Sequence, residues 1–323
     1  MQPFSYIAPA KLSDAITAAS QTDVMVIAGG TELLNWMKEG IVAPQRIIDL
    51  NLLPDLAEII VDRSGLQMGA LARMSDVAEH EAVKRDYPAV SQALLQSASP
   101  QIRNMASMGG NLLQRTRCPY FRAEVELPCN KRKPGSGCSA IEGEDRYAAL
   151  IGASETCIAT HPSDLAVALA ALDATVHVEG AQGSRMIPVA ELHRLPGDAP
   201  HHETVLDRSE IIVSIHVPSA AVARRSHYLK IRERASYEFA LVSVAAGIDA
   251  DDSYIREVRI ALGGVAPRPW RLRAVSLCDP GALRSALDED FSSAKPGRHN
   301  GFKIELAKRG VVRVLQTAGG EDE

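Results

Sequence analysis

Val26-Ile27-Ala28-Gly29-Gly30-Thr31-Glu32-Leu33-Leu34 runs from an apolar stretch through a glycine pair into a helical pattern. Two glycines between a strand and a helix let the backbone approach an anion closely, and the amides that follow can donate to a pyrophosphate. The same residues would also make a plain tight turn. The spacing is not G-x-G-x-x-G, so the Rossmann dinucleotide fingerprint is absent. Asn104-Met105-Ala106-Ser107-Met108-Gly109-Gly110-Asn111-Leu112 repeats the theme. A hydroxyl, a glycine pair and a carboxamide can line a phosphate or the edge of a flavin, or form a helix cap followed by an Asn turn.

Around these two loops the chain reads as mixed α and β. Strands are expected at residues 24–27, 46–50, 59–61 and 66–71, the last two joined through Asp62-Arg63-Ser64-Gly65 as a hairpin. Thr31 is read as the cap of a helix through Lys38, closed by Gly40. Ser75 is read as the cap of a helix through Asp86. Another helix covers 89–98, with Pro100 ending it. A helix from Asp164 to Leu172 follows, capped by Ser163 or Asp164, with strands at 175–178 and 210–217. After Pro218 the pattern turns to strands with period-2 alternation (228–232, 242–248, 258–262) and an amphipathic helix at 302–317. These changes place a domain boundary near 218–226, dividing the chain into residues 1–218 and 219–323. The tail GGEDE is read as disordered.

Composition narrows the function. The 323 residues are 46% apolar and 23% charged, enough for about two domains of roughly 150 residues each. Thirty-five basic and 40 acidic residues leave a net charge of -5, against a nucleic-acid or acidic-membrane partner. Aromatic residues are only 4%, too few for single-strand stacking platforms. The longest apolar run, residues 165–172, is far short of the ~20 needed to span a bilayer. The N-terminus shows no signal-peptide pattern.

Residues 115–147 break the periodicity, and a structureless loop of this length is uncommon unless it is functional or tied down. Cys118, Cys129 and Cys138 lie in it, and Cys157 follows, in the spacing C-x10-C-x8-C-x18-C; Cys278 stands apart and is read as a core or surface thiol. Four thiolates are the number that holds an iron–sulfur cluster. They also suit zinc, although structural zinc sites favour tight C-x2-4-C pairs, and none occurs here. Free or disulfide-linked cysteines are the remaining alternative.

Taken in order, AGGTELL (28–34), GALARMSDV (69–77), QIRNMASMGGNL (101–112), HPSDLAVALAAL (161–172), YLKIRERASYEFALVSVAAG (228–247), ALGGVAPRPWR (261–271) and FKIELAKR (302–309) resemble the FAD-binding subunits of molybdenum hydroxylases. This is the family of xanthine dehydrogenases, aldehyde oxidoreductases and carbon monoxide dehydrogenases. The resemblance covers nearly the whole chain. The cysteine-bearing stretch, about 115–157, is similar to the insertion that holds an extra [4Fe-4S] cluster in bacterial periplasmic aldehyde oxidoreductases; benzoyl-CoA-type reductases carry a comparable one.

The resemblance implies an α+β fold: a two-part PCMH-type FAD-binding domain with the cluster loop inserted, then a smaller α+β domain of the CO dehydrogenase flavoprotein C-terminal type, a sheet with helices on one face. It implies that Val26, Ile27, Ala28, Gly29, Gly30, Thr31, Glu32, Leu33 and Leu34 wrap the FAD pyrophosphate. Ser107, Gly110 and Asn111 would contact the cofactor near its phosphates and ribityl chain. Asp164 would bind on the flavin side and Lys230 beside the isoalloxazine, with Tyr237, Glu238 and Phe239 near the exposed flavin face. Cys118, Cys129, Cys138 and Cys157 would ligate the cluster. Ala72 departs from a frequent Thr, and Ser107 keeps the hydroxyl of another. The chain carries no molybdenum-cofactor segment and no plant-type [2Fe-2S] run. It would therefore be one subunit of a complex, with a molybdopterin-binding large subunit and a [2Fe-2S] small subunit, passing electrons through FAD to an external acceptor. Xanthine- or hydroxybenzoyl-CoA-type complexes are the alternative, then a stand-alone flavin oxidase or a zinc-stapled subunit without flavin. No acid–base catalyst for the aldehyde is expected on this chain. Its compartment is expected to be the cytoplasm, or the periplasm by export with a partner.

Overall fold

Helix Asp164–Ala171, with the sequence DLAVALAA, has every residue buried. A helix that is apolar all round must be enclosed on all sides, and three elements provide most of the enclosure. They are helix Pro88–Leu95 and the strands Val242–Ala250 and Ile255–Gly263. In a computed structural model that describes residues 1–251, 255–275 and 280–320, the rest of the α+β fold is arranged about it.

The first layer is a small parallel sheet of Ser5–Ile7, Arg46–Asp49 and Val24–Ile27, with Arg46–Asp49 in the middle. It ends at the first glycine loop. The second sheet has five antiparallel strands in the spatial order Ile59–Val61, Gly65–Gly69, Ile211–Pro218, Thr175–Gly180, Gly183–Pro188. The expected hairpin at 59–71 forms, and Asp62 closes its turn by accepting from the Ser64 amide at 2.8 Å. Between Gly69 and Thr175 the chain leaves this sheet and builds the helices, the cysteine loop and the buried helix. The third sheet is antiparallel, ordered Trp270–Arg271, Ile255–Gly263, Val242–Ala250, Ser226–Ile231. Helix Phe302–Gly319 covers one face of it, and helices Asp164–Ala171 and Pro88–Leu95 cover the other.

Several expectations change. The alternation at 242–248 suggests one buried face, yet residues 242 through 248 are all buried because helices lie on both sides of the strand. Pro100 opens a helix, Pro100–Met105, instead of closing one; Ser99 caps it by accepting from the Ile102 amide at 3.3 Å. The segment read as one helix from Ser75 breaks into Met74–Glu79 and Glu81–Asp86 at an extended His80. Thr31 is not a cap: its helix begins at Leu33. Strand Gly183–Pro188, largely exposed, carries no alternation that would have revealed it. Within 115–147 the only helices are two single turns, Pro119–Arg122 and Ser139–Glu142. Cys278 and the last three residues of the tail lie outside the described residues; the tail's first glycine, Gly319, still belongs to the final helix.

That final helix is fastened by a buried lysine. Lys303 Nζ donates to the carbonyls of Ala148 (2.8 Å) and Gly264 (2.6 Å), and burial pushes its pKa down to about 7 from 10.5. Between those values the unfolded chain holds the proton that the folded chain has lost, so folding stability rises with pH. The limit is about 1.4 kcal/mol per pH unit. Thermal or denaturant unfolding at pH 7 and pH 9 should show wild type gaining stability relative to Lys303→Met. A constant difference between the two would remove this role.

Candidate functional site

A cleft of about 660 Å³ opens where the glycine loops, the start of the buried helix and the third sheet meet. It gathers Val26 through Leu33, Ser107, Gly110, Asn111, Asp164 and Lys230, residues drawn from four separate stretches of chain. Of the FAD residues expected from the sequence, Leu34 alone is not part of the lining; it packs with Ile27 and Met25 against Trp36 and Ile47. Tyr237, Glu238 and Phe239 line the cleft as well, with Tyr237 and Phe239 exposed.

The first loop needs its glycines. A Cβ on Gly29 would sit 1.9 Å from the Met105 carbonyl oxygen, and Gly30 has a φ of +73°. Two residues that sequence reasoning missed hold this loop from behind. Asn51 Nδ2 donates to the Ala28 carbonyl at 2.9 Å, and Arg73 donates to Asn51 Oδ1 (3.1 Å) and to the Met105 carbonyl (2.6 Å). The second loop is a one-turn helix, Met108–Leu112, on which Ser107 Oγ caps the Gly110 amide at 3.2 Å. Asn111 is fixed by Ser163, whose hydroxyl donates to its Oδ1 at 2.6 Å. A Cβ at 110 would lie 2.9 Å from that same Ser107 Oγ, so a larger residue there would displace the cap.

Asp164 and Lys230 lie beside each other. Lys230 Nζ stands 2.8 Å from Asp164 Oδ2 and 3.1 Å from the Gln96 carbonyl, and both side chains are buried. Ser97 Oγ (3.0 Å) and the Tyr228 hydroxyl (2.5 Å) also donate to this carboxylate. Burial, and then the charge of Asp164, hold the Tyr228 phenol well above its ordinary range. So the lysine expected beside the isoalloxazine is one half of an ion pair.

Glu32 is also occupied. Its carboxylate takes Arg122 at 2.6 Å, Arg117 at 2.9 Å and the Arg115 amide at 3.2 Å. All three come from the cysteine loop, which is further tied down by Arg115 and Lys131 on Glu203, at 3.0 and 3.1 Å. Burial alone would raise the Glu203 pKa, but Lys131 and Arg115 outweigh it and hold the carboxyl below its usual range. The run Arg115-Thr116-Arg117-Cys118 in an otherwise patternless loop was the available signal for these anchors.

Cys118, Cys129, Cys138 and Cys157 line one small pocket, and none of the four is in a disulfide. Cys129 and Cys138 face each other across an antiparallel bridge. Burial raises the Cys118 thiol and pushes Cys157 up to about 11, with neighbouring cysteines adding to both. Among the described residues, no three of these sulfurs all lie within 4.8 Å of one another. An apolar cavity of about 240 Å³ lies between this pocket and the cleft. It shares Thr116, Cys118, Ala140 and Ala159 with the pocket and Arg117, Pro162, Asp164, Glu238 and Phe239 with the cleft.

Removing Asp164 should leave a buried ammonium without its counter-charge. Asp164→Ala is expected to cost about 3–5 kcal/mol in denaturant unfolding, with part of the loss recovered in Asp164→Ala/Lys230→Met. A loss under about 1 kcal/mol would show that the pair carries no structural weight.

Comparison with known proteins agrees with this geometry. Residues 2–220 match the family model described as FAD binding domain in molybdopterin dehydrogenase, and residues 227–278 match the CO dehydrogenase flavoprotein C-terminal domain. The aldehyde oxidoreductase FAD-binding subunit PaoB of Escherichia coli is 48% identical over 305 residues, covering 94% of each chain. The glyceraldehyde dehydrogenase medium chain of Sulfolobus acidocaldarius is 27% identical over 97% of this chain and 95% of its own. Among solved structures, carbon monoxide dehydrogenase from Hydrogenophaga pseudoflava superposes with a TM-score of 0.75 at 23% identity, covering 100% of both chains, which speaks to the fold. A family model spanning well over half of the sequence and a relative nearly half identical along its length lead to one conclusion: the chain belongs to the FAD-binding subunits of the molybdenum hydroxylase family.

Proposed function

We propose that this chain is the FAD- and [4Fe-4S]-carrying electron-transfer subunit of a molybdenum-dependent aldehyde oxidoreductase. Its partners would be a molybdopterin-binding large subunit and a [2Fe-2S] small subunit, and its output an external electron acceptor. The aldehyde assignment draws on the PaoB relative. The observation that carries the reading is the continuity of cleft, apolar cavity and four-thiol pocket. In this reading the chain divides at about residue 218 into the FAD-binding part and the C-terminal part.

The residues suit both groups. FAD, when bound, supplies the interchange between two-electron and one-electron chemistry. Gly29, Gly30 and Gly110 allow its diphosphate close to the backbone, Ser107 and Asn111 supply polar contacts, and the apolar cavity beyond Asp164 suits a flat ring. A [4Fe-4S] cluster supplies one-electron storage, and Cys118, Cys129, Cys138 and Cys157 would hold it. Structural zinc sites favour tight C-x2-4-C pairs, and the spacing C-x10-C-x8-C-x18-C has none. Tyr237 and Phe239 leave the cleft exposed at one edge, where an acceptor can approach. Among the described residues, no helix is long and apolar enough to cross a membrane.

Cys129→Ser in the complex, purified without oxygen, should lose the iron assigned to this chain and its visible charge-transfer absorption, while FAD is retained. Iron content equal to wild type would remove Cys129 from the ligand set. Absence of both flavin and iron from the wild-type chain would overturn the whole reading.

A further inference from the structure

Arg117 has no role in the family-based reading, yet it stands at the junction of the cleft and the apolar cavity and lines both. Its guanidinium lies over the Phe239 ring, 4.8 Å from the centroid. Nη2 is taken by Glu32 at 2.9 Å and Gln114 at 3.2 Å. Its Nε–H is buried and meets no acceptor. A buried donor left unpaired costs free energy, and when it belongs to a charged group it is a strong partner for whatever acceptor reaches it.

The chemistry of the cleft indicates which acceptor that is. The glycine loops and Ser107 provide the close polar backbone that a diphosphate needs. The other direction, past Asp164 and Phe239, is apolar and fits a planar ring, and Arg117 is in that direction. The carbonyl oxygens and ring nitrogens of an isoalloxazine are acceptors, and they become more electron-rich when the ring is reduced. Lys230, the cation that family resemblance places there, already has its charge matched by Asp164 at 2.8 Å.

We propose that Arg117 tunes the flavin: its Nε–H donates a charge-assisted hydrogen bond to an acceptor on the ring edge, strengthened on reduction, so that the reduced form is favoured. Glu32 and Phe239 hold the guanidinium in place for it, one by an ion pair and the other as the surface beneath the plane. This rests on the FAD reading above.

The test compares complexes carrying the wild-type chain, Arg117→Lys and Arg117→Met. FAD is counted after acid release, and the flavin is equilibrated without oxygen against a redox dye. Arg117→Met should keep its FAD and shift the reduction equilibrium at least threefold toward the oxidised form, with Arg117→Lys lying between it and wild type. A purely structural arginine would change FAD content and leave the equilibrium of the bound flavin alone. If Arg117→Met fails to assemble or loses its flavin, Arg117→Lys decides, since it keeps the charge but cannot place the Nε–H; a shift of threefold or more supports the proposal. An equilibrium within threefold of wild type in the deciding variant overturns it. A wild-type chain without FAD overturns the underlying reading and this proposal with it, and the flavin count tells the two failures apart.

Discussion

The ion pair between Asp164 and Lys230 is the constraint on which the arrangement of the site depends. Both charges are out of water, 2.8 Å apart, and both carry further hydrogen bonds, so neither can leave without stranding the other. Asp164 is the first residue of a helix that is otherwise wholly apolar, and Lys230 is on the edge strand of the third sheet. The pair therefore fixes the end of the buried helix against that sheet. Apolar packing along the helix supplies most of the adhesion. The buried charges supply the register, and the cleft lies where they meet.

Glu32 performs a similar task between the first glycine loop and the cysteine loop. One carboxylate receives Arg117, Arg122 and the Arg115 amide, and Arg122 reaches on to Glu39 at 3.0 Å. A segment with almost no regular secondary structure thus gains a defined position from charge-assisted bonds. Cys118 and Cys138 each stand immediately before a single helical turn. Glu32 thereby ties the cysteine segment to the loop that carries Gly30, two residues away.

Local chemistry was legible in the sequence, and tertiary chemistry was not. The glycine pairs, the Ser163 cap and the four cysteines announce themselves through residue type and spacing; Gly29, Gly30 and Gly110 line the cleft, Ser163 the apolar cavity and the cysteines the small pocket. What escaped depends on partners far along the chain. Glu32 reads as a loop residue until Arg117 and Arg122 arrive from more than 80 positions away. Strand Val242–Ala250 alternates as if half exposed, and only a second helix on its other face buries the rest. Pro100 marks a boundary correctly, but a proline ends one helix or starts another according to whether a cap precedes it, and Ser99 does. Asn51 and Arg73 give no signal at all, since their work is done on the carbonyls of Ala28 and Met105.

The carboxylates of the cleft bear on what this chain does. Four line it: Glu32, Asp164, Glu203 and Glu238. The first is held by arginines, the second by Lys230, Tyr228 and Ser97, and the third by Arg115 and Lys131. Glu238 accepts from the amides of Glu233 and Arg234 at 2.7 and 2.8 Å. A general base must reach a substrate proton and have a lone pair to receive it, with a pKa suited to the transfer. Of the four, Glu203 is held below the usual carboxylate range, burial being outweighed by Lys131 and Arg115. The acidic groups of this cleft are therefore spent on positioning loops, strands and cations. Such an arrangement fits the electron-transfer role proposed for this chain, in which the site holds and orients a redox group.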